Sequence, residues 1–347
     1  MLKAKLKISL ESKDATGVPV APVLMLGAVS VFFTELLSGN IPFPLIAHPL
    51  VLVLLVIAYS LPILVIRDVA ARWNLGVVSI SVLGLAYGIY NEGITAKTLL
   101  AANGPTPLPS FTDYAVFGGI NCSWAICILI WHASNSVLYP IALVSALWPG
   151  KIQQVWFGRK TTAAFLFLSI SAGVLAYFKN PPQHPSPVYL AVFSAVIAIL
   201  VIIARWLRGI ALLRYQPSAN HIRPFMIGSA TIVFYAVIQP MAAARVSFFL
   251  YIATAFLVLG VFIDLLRRND WYLLPSLSRF AVGSYAAGVL IRICGPSKSP
   301  FPLEPVLVGA VFAAVLTALV LKIRRVERGR FSEPEPSSSH SAMPDQR

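Results

Sequence analysis

The sequence predicts an all-α membrane protein, a polytopic bundle of about ten transmembrane helices with both termini in the cytoplasm. Hydrophobic residues make up 58% of the 347 residues and charged residues only 12%, whereas a soluble domain carries roughly 25% charged residues. The apolar residues fall into runs of about 20, which is the length of helix that crosses a bilayer. Basic residues are concentrated in alternate segments between these runs. These observations predict a lipid bilayer as the chain's environment.

Ten apolar runs are long enough to be membrane spans. They cover about residues 21–38, 48–68, 76–95, 122–146, 161–178, 187–206, 225–243, 246–266, 273–293 and 303–323. The first run follows about 20 largely polar residues and has no clear cleavage site, so it is interpreted as a span and not as a secretory signal. The ninth run has the weakest pattern, because Arg279 and several serines interrupt it.

The distribution of basic residues predicts the orientation. Lysine and arginine concentrate in the cytoplasmic loops of membrane proteins. With both termini inside, the inner segments hold 21 of the 27 basic residues, the outer segments five and the ninth span one. This bias also explains the net charge of +14 without a nucleic-acid partner, because no basic stripe interleaved with aromatic residues lies outside the spans.

The chain is predicted to have four parts. Residues 1–20 form a cytoplasmic segment, 21–148 a four-helix half with most of the buried polar groups, and 149–325 a six-helix half. Residues 326–347 form a cytoplasmic tail rich in Ser, Pro and charge, which is predicted to be disordered because it cannot bury enough apolar surface to fold. The absence of an internal repeat counts against inverted-repeat transporters.

The third span carries the strongest candidate site residue. Residues three or four apart share one helical face, and here they are Ser81, Gly84, Gly88, Glu92 and Thr95. The two glycines allow another helix to approach closely. Because an ionisable residue inside a span costs roughly 2.5–3.5 kcal/mol on insertion scales, Glu92 is predicted to face the protein interior. It is either functional or a structural carboxylate neutralised by Lys97 or a histidine.

The fourth span adds a histidine to the candidate site. His132, Asn135, Ser136 and Tyr139 share one face, and Pro140 is predicted to kink the helix because it lacks a backbone donor. Histidine, with an unperturbed pKa of about 6.5, suits proton transfer or metal ligation. The alternative is a hydrogen-bonded interior histidine without a chemical role.

The first four spans together predict a buried carboxylate–imidazole site in the outer half of the membrane. The candidate catalytic residues are Glu92, His132 and Glu35; the candidate ligands of Zn²⁺ or Mn²⁺ are Glu92, His132 and His48; the supporting residues are Asn91, Lys97, Asn135 and Tyr139. Carboxylate and imidazole groups are ligands that such metals accept. No local spacing links the ligands, and His48 is alternatively an interfacial residue.

Charged residues at the inner ends of spans are predicted to be structural. Asp264 precedes Arg267 and Arg268 by three and four residues, which indicates a local ion pair. Arg279 is predicted to reach Asp264 across the inner hairpin.

The stretch AYGIYNEGITAK, followed a span later by IWHASNS, resembles a pattern of an uncharacterised prokaryotic family of multi-pass membrane proteins. The resemblance covers about residues 30–148 and implies a prokaryotic plasma membrane. It is also distantly similar to CAAX-protease and bacteriocin-processing intramembrane peptidases, which implies that Glu92 activates water and that His132 is its partner or a metal ligand. The sequence departs from the peptidase pattern, because Asn91 replaces its first glutamate and Lys97 lies one place beyond its basic residue.

Three functions are consistent with these residues. The first is a metal- or glutamate-dependent intramembrane hydrolase with Glu92 activating water, His132 shuttling a proton and Glu35 as second carboxylate, which the family pattern favours. The second is a proton- or cation-coupled transporter that uses the same three residues, and the third is a non-catalytic membrane assembly protein. No P-loop or dinucleotide fingerprint is present, so ATP-driven and nicotinamide chemistry are not expected.

Overall fold

The computed structural model describes residues 18–37, 48–101, 106–179, 186–216, 222–294 and 303–331, together with Ile41 and Leu45. Within these ranges the chain is built from long helices. Each of the ten predicted runs overlaps one of them. The helices are α1 Val20–Leu36, α2 Pro49–Trp73, α3 Val77–Thr95, α4 Cys122–Leu147, α5 Arg159–Lys179, α6 Pro187–Trp206, α7 Ile222–Ala243, α8 Phe248–Arg268, α9 Ser276–Cys294 and α10 Glu304–Phe331.

Eight of these helices are long and apolar enough to cross a membrane. The other two are α1, which is shorter, and α9, in which Arg279, Arg292 and three serines lower the hydropathy. The chain is thus an all-α polytopic membrane protein. The ten-span count and the cytoplasmic location of both termini stay predictions.

Helices α3 and α4 form the centre of the bundle. In the most apolar 18-residue segment of each, 72% of the residues are buried inside the protein, whereas only 11% are buried in the corresponding segments of α6 and α8. The peripheral helices expose large apolar side chains such as Ile202 and Phe249, which lipid tolerates and water does not. The most buried helices are therefore those that carry Glu92 and His132.

The segment between α3 and α4 folds back over the end of α3. It contains a short 3₁₀ turn, Pro109–Phe111, and an antiparallel hairpin of β1 Val116–Phe117 and β2 Ile120–Asn121. Asn121 caps α4 by accepting a hydrogen bond from the backbone N–H of Trp124 at 2.9 Å, which satisfies a donor that the first turn leaves unpaired. The cap fixes where α4 begins.

At the opposite end, Asp68 of α2 holds the connection between α4 and α5. The carboxylate is fully buried and accepts hydrogen bonds from the backbone N–H groups of Trp156 at 2.9 Å and Phe157 at 3.2 Å, and from the Thr162 hydroxyl at 2.8 Å. The neighbouring Arg67 stacks on the Trp156 ring at 3.6 Å. Asp68 and Arg67 therefore anchor the loop between α4 and α5 to α2.

One of the two predictions for charged residues needs correction. Asp264 does form a local ion pair, with Arg268 at 2.7 Å, but Arg279 does not pair with it. Arg279 instead contacts Glu327 at 2.6 Å. Helix α10 accordingly extends to Phe331, beyond the predicted start of the disordered tail at residue 326, because Glu327 is a buried ion-pair partner. Residues 1–17 and 332–347 lie outside the described residues.

Candidate functional site

Each of the first four helices contains a π-helical turn, and the four turns carry the candidate site. They are Phe32–Leu36 in α1, Val56–Ser60 in α2, Tyr90–Thr95 in α3 and His132–Leu138 in α4. A π turn accommodates an extra residue and is frequent at functional sites. Pro140 lies two residues beyond the end of the π turn of α4, in the first turn of a regular α segment, and the predicted kink there stays a prediction.

Glu92 and His132 meet at the centre of this cluster. The Nε2 atom of His132 lies 2.8 Å from Oε1 of Glu92, and the two residues are 1% and 7% exposed respectively. The predicted juxtaposition of these two residues is therefore present. A proton shared between an imidazole and a carboxylate at this distance is a charge-assisted hydrogen bond, stronger than one between neutral groups.

The two glycines of α3 explain how the helices come close enough for this contact. A Cβ atom on Gly84 would lie 2.6 Å from the Cα atom of Ala133, and one on Gly88 would lie 3.2 Å from the Cβ atom of His132. Such distances leave no space for a side chain. The predicted small-residue face is thus confirmed, and it positions Glu92 one turn further along α3 beside the His132 ring.

Asn91 and Tyr59 connect this pair to Glu35. The Asn91 amide nitrogen lies 3.1 Å from the Tyr59 hydroxyl, 3.2 Å from Oε1 of Glu92 and 3.4 Å from Nε2 of His132. The Tyr59 hydroxyl donates to the carboxylate of Glu35. All five residues are at most 7% exposed, so the two carboxylates belong to one buried polar network.

The second nitrogen of the His132 ring faces α1. Nδ1 lies 2.8 Å from the Ser136 hydroxyl oxygen, which accepts a hydrogen bond from the Thr34 hydroxyl at 3.2 Å. Ser136 consequently has its own hydrogen available for Nδ1. Nδ1 can accept from Ser136 when the ring hydrogen is on Nε2, or donate to the Ser136 oxygen when the ring hydrogen is on Nδ1.

The second oxygen of Glu92 contacts the segment beyond α3. The Thr98 hydroxyl donates to Oε2 of Glu92, and the indole N–H of Trp124 donates to the Thr98 hydroxyl at 3.0 Å. Both oxygens of Glu92 are therefore engaged with protein groups.

Of the predicted supporting residues, Asn91 joins the network, whereas Lys97, Asn135 and Tyr139 have other contacts. Lys97 donates to the Tyr177 carbonyl oxygen at 3.3 Å, and burial lowers the pKa of its ammonium group. The structure instead pairs Glu92 with a histidine, the second of the two predicted partners. Asn135 donates to the Ser134 hydroxyl at 3.0 Å, and the Tyr139 ring packs near the Tyr285 ring with centroids 5.9 Å apart. Asn135 and Tyr139 belong to the scaffold between α4 and α9.

The predicted Zn²⁺ or Mn²⁺ site does not form from the described residues. His48 is exposed at the start of α2, and no group of three or more His, Cys, Asp or Glu side chains within the described ranges could hold a metal ion. A catalytic zinc site needs about three protein ligands. Glu92 and His132 contribute two donors that face each other, so no step is assigned to a metal.

Sequence reasoning missed Tyr59, Thr98 and Thr34. Tyr59 connects Glu35 to the Glu92 side of the network. A tyrosine hydroxyl in the middle of the apolar second run was the sequence feature that could have indicated this role. Thr98 and Thr34 carry little signal, because a hydroxyl in or near a span is more often bonded to its own helix backbone.

An apolar groove lies beside the network, between α1 and α10. Its volume is about 690 Å³, within the range of pockets that hold small molecules. The α1 wall includes Phe33 and Leu36 and the α10 wall includes Leu307 and Val311. Glu35 lies in the same π turn as the first two, so the groove runs along the helix that carries the second carboxylate.

Comparison with known proteins gives one result. The model of an uncharacterised membrane protein family matches residues 24–328, which is most of the chain. No curated protein and no solved structure matches, and no finding supports the distant similarity to CAAX-type peptidases. The family is a membrane family, in agreement with the helices, the apolar surface and the environment that the composition predicts. The chain belongs to this uncharacterised membrane protein family.

Proposed function

We propose that the chain is a proton-coupled membrane transporter in which Glu92 and His132 bind and release the coupled proton. The observation that carries the proposal is the 2.8 Å contact between Nε2 of His132 and Oε1 of Glu92 in the most buried pair of helices. Histidine is the side chain whose unperturbed pKa places its charge change between about pH 5 and 8. Intramembrane ionisable residues commonly form proton relays in transporters.

The charge balance of the network supports proton binding. Two carboxylates and one imidazole share an environment in which Glu35 is 5%, Glu92 7% and His132 1% exposed. Burying a second anion without a cation is unfavourable. The two carboxylates would compensate the charge of a doubly protonated ring, and loss of the Nε2 hydrogen would leave a neutral ring whose Nδ1 still donates to the Ser136 hydroxyl oxygen.

The hydrogen bonds of Asn91 support two states of the site. Its amide carries two hydrogens, but three acceptors lie within 3.4 Å. When Nε2 of His132 carries a hydrogen, it donates to Glu92 and cannot accept from Asn91. When Nε2 is deprotonated, Asn91 can donate to it and must release either the Tyr59 oxygen or Glu92. Proton binding would thus rearrange contacts between α2, α3 and α4.

The groove between α1 and α10 supports an apolar or lipid-linked solute. It is lined by apolar side chains along α1, the helix that also carries Glu35 in contact with Tyr59. A shift of Tyr59 on protonation would act on Glu35 and hence on the α1 wall of the groove. In this mechanism the buried network, through Glu35, and the solute groove both include α1.

The experiment has two measurements on membranes that contain the full chain. Infrared difference spectra recorded over a pH titration should detect an imidazole ring band that disappears in His132→Gln, together with a carboxylate band shift that disappears in Glu92→Gln. In everted vesicles with an imposed pH gradient, an apolar or lipid-linked solute should collapse the gradient with the wild type and with Asp264→Asn, a carboxylate control that is exposed on α8. It should fail to do so with Glu92→Gln and His132→Gln.

An absence, in folded wild type, of any titrating band that His132→Gln removes would overturn the proposal and leave the non-catalytic assembly role. If the band titrates but no solute moves in either vesicle orientation, the chain binds a proton without coupling it to transport.

The second candidate is a glutamate-dependent intramembrane hydrolase. The same 2.8 Å contact is the distance expected between a general base and its partner, with Glu92 activating water and His132 accepting its proton. The two oxygens of Glu92 are already bonded to His132 and Thr98, so water would have to displace one of them. Cleavage of peptides or lipid-linked substrates by the purified chain, lost in Glu92→Gln, would favour this function.

A further inference from the structure

A second cavity contains two arginines. It lies between α7, α9 and α10, has a volume of about 240 Å³ and is lined by Phe225, Val282, Val320, Ile323, Arg279 and Arg324, among others. This set, called the arginine pocket below, combines apolar walls with two cationic groups. It shares no lining residue with the Glu92–His132 network.

Arg279 has an unused donor in this pocket. Its Nη2 atom donates to Glu327 at 2.6 Å, whereas its Nη1 atom is buried and has no hydrogen-bond partner among the described residues. The side chain is only 12% exposed. A buried donor without a partner costs free energy, and a guanidinium N–H costs more than a neutral one. An anionic oxygen in the pocket would remove that cost.

The local charge also favours an anion. Arg324 is exposed on α10 and lines the same cavity as Arg279, so two positive charges border one space. Glu327 offers one negative charge against these two positive charges. An additional anion between the guanidinium groups would compensate the remaining charge, and Arg binds phosphate groups through parallel hydrogen bonds.

The apolar walls identify the source of the phosphate. A free phosphate ion gains nothing from Phe225, Val282 or Ile323, whereas a lipid places hydrocarbon directly beside its phosphate. A cavity of about 240 Å³ holds a headgroup and the first part of the chains, with the remainder in the surrounding bilayer. Basic pockets between transmembrane helices are known to accept anionic headgroups.

We propose that the arginine pocket binds the phosphate of an anionic phospholipid, with Arg279 and Arg324 on the phosphate and the apolar walls against the acyl chains. Bound lipid would tie α7, α9 and α10 together. The site is separate from the proposed proton site, so either proposal can fail without the other.

The test uses the full chain in detergent, with thermal unfolding and native mass spectrometry as readouts. The probes are phosphatidylglycerol, phosphatidylcholine and inorganic phosphate. Phosphatidylglycerol should raise the Tm of the wild type and bind at a defined stoichiometry, and the other two should not. Arg324→Gln should weaken phosphatidylglycerol binding about tenfold, while Arg325→Gln, an exposed arginine on the same helix, should leave it unchanged.

A second variant addresses Arg279 without leaving Glu327 as an unpaired buried charge. Arg279→Gln combined with Glu327→Gln should fold and lose the selectivity for phosphatidylglycerol. Unchanged lipid binding in this double variant would overturn the role of Nη1. Equal stabilisation by phosphatidylcholine, stabilisation by inorganic phosphate alone, or equal loss in Arg325→Gln would each overturn the proposal, because none requires an anionic lipid in this pocket.

Discussion

Gly84 of α3 lies directly against the backbone of Ala133 in α4. A Cβ atom at position 84 would be 2.6 Å from the Cα atom of Ala133, a distance that real side chains do not adopt. Because backbone cannot move aside as a side chain can, any residue larger than glycine must separate the two helices. A larger distance between α3 and α4 would also lengthen the His132–Glu92 contact.

Substitution of Gly84 is therefore expected to destabilise the protein. Gly84→Ala should cost about 1–3 kcal/mol, the range for overpacking, and should lower the Tm measured in detergent. The matched control is Gly260→Ala in α8, where no atom lies within 4 Å of the added Cβ. That variant should be neutral or more stable by up to about 1 kcal/mol, because alanine favours helix. Equal losses in both variants would contradict the proposed helix contact.

The Glu92–His132 pair should be energetically coupled. Breaking a buried ion pair by removing one partner costs about 3–5 kcal/mol, since it leaves the other group without compensation. Glu92→Gln, His132→Gln and the double variant form a cycle, and we expect a coupling of about 0.5–3 kcal/mol. Reversible unfolding in mixed detergent would measure it. Additive losses would mean that the two groups do not interact in the folded protein.

Tyr59→Phe removes the hydroxyl that joins Glu35 to Asn91 and leaves the ring in place. The expected loss is about 1–3 kcal/mol, the cost of leaving a buried polar partner unsatisfied, together with a shift of the Glu35 carboxyl band in the infrared spectrum. Tyr189→Phe serves as control, since its hydroxyl donates at 3.1 Å to the Gly118 carbonyl in an exposed hydrogen bond. An unmoved Glu35 band in Tyr59→Phe would contradict the network.

Asp68→Asn should loosen the connection between α4 and α5. The carboxylate accepts from two backbone N–H groups, the Thr162 hydroxyl and Arg72, and an amide cannot accept from all four. We expect a lower Tm and faster proteolysis near Lys151. Asp264→Asn, which breaks an exposed pair with Arg268, should cost no more than about 1 kcal/mol. If protease cleaves the loop of Asp68→Asn no faster than that of the wild type, contacts other than those of Asp68 hold the loop in place.

Much of the fold followed from local patterns. Run length and hydropathy determined where the ten helices lie, because a span must satisfy its backbone hydrogen bonds internally and present apolar side chains to lipid. The spacing of Gly84, Gly88 and Glu92 also determined which face of α3 packs. The approach of His132 to Glu92 was predictable for this reason.

Tertiary structure alone decided how the site is assembled. The π turns change side-chain directions within α1 to α4, and a helical-periodicity argument assumes that no such turn exists. Tyr59 joins the site, His48 does not, and Arg279 pairs with Glu327 and not with Asp264. Each of these outcomes depends on how helices distant in sequence dock against one another. The sequence by itself thus determined the membrane helices and the central pair, while long-range packing determined which other polar groups reach that pair.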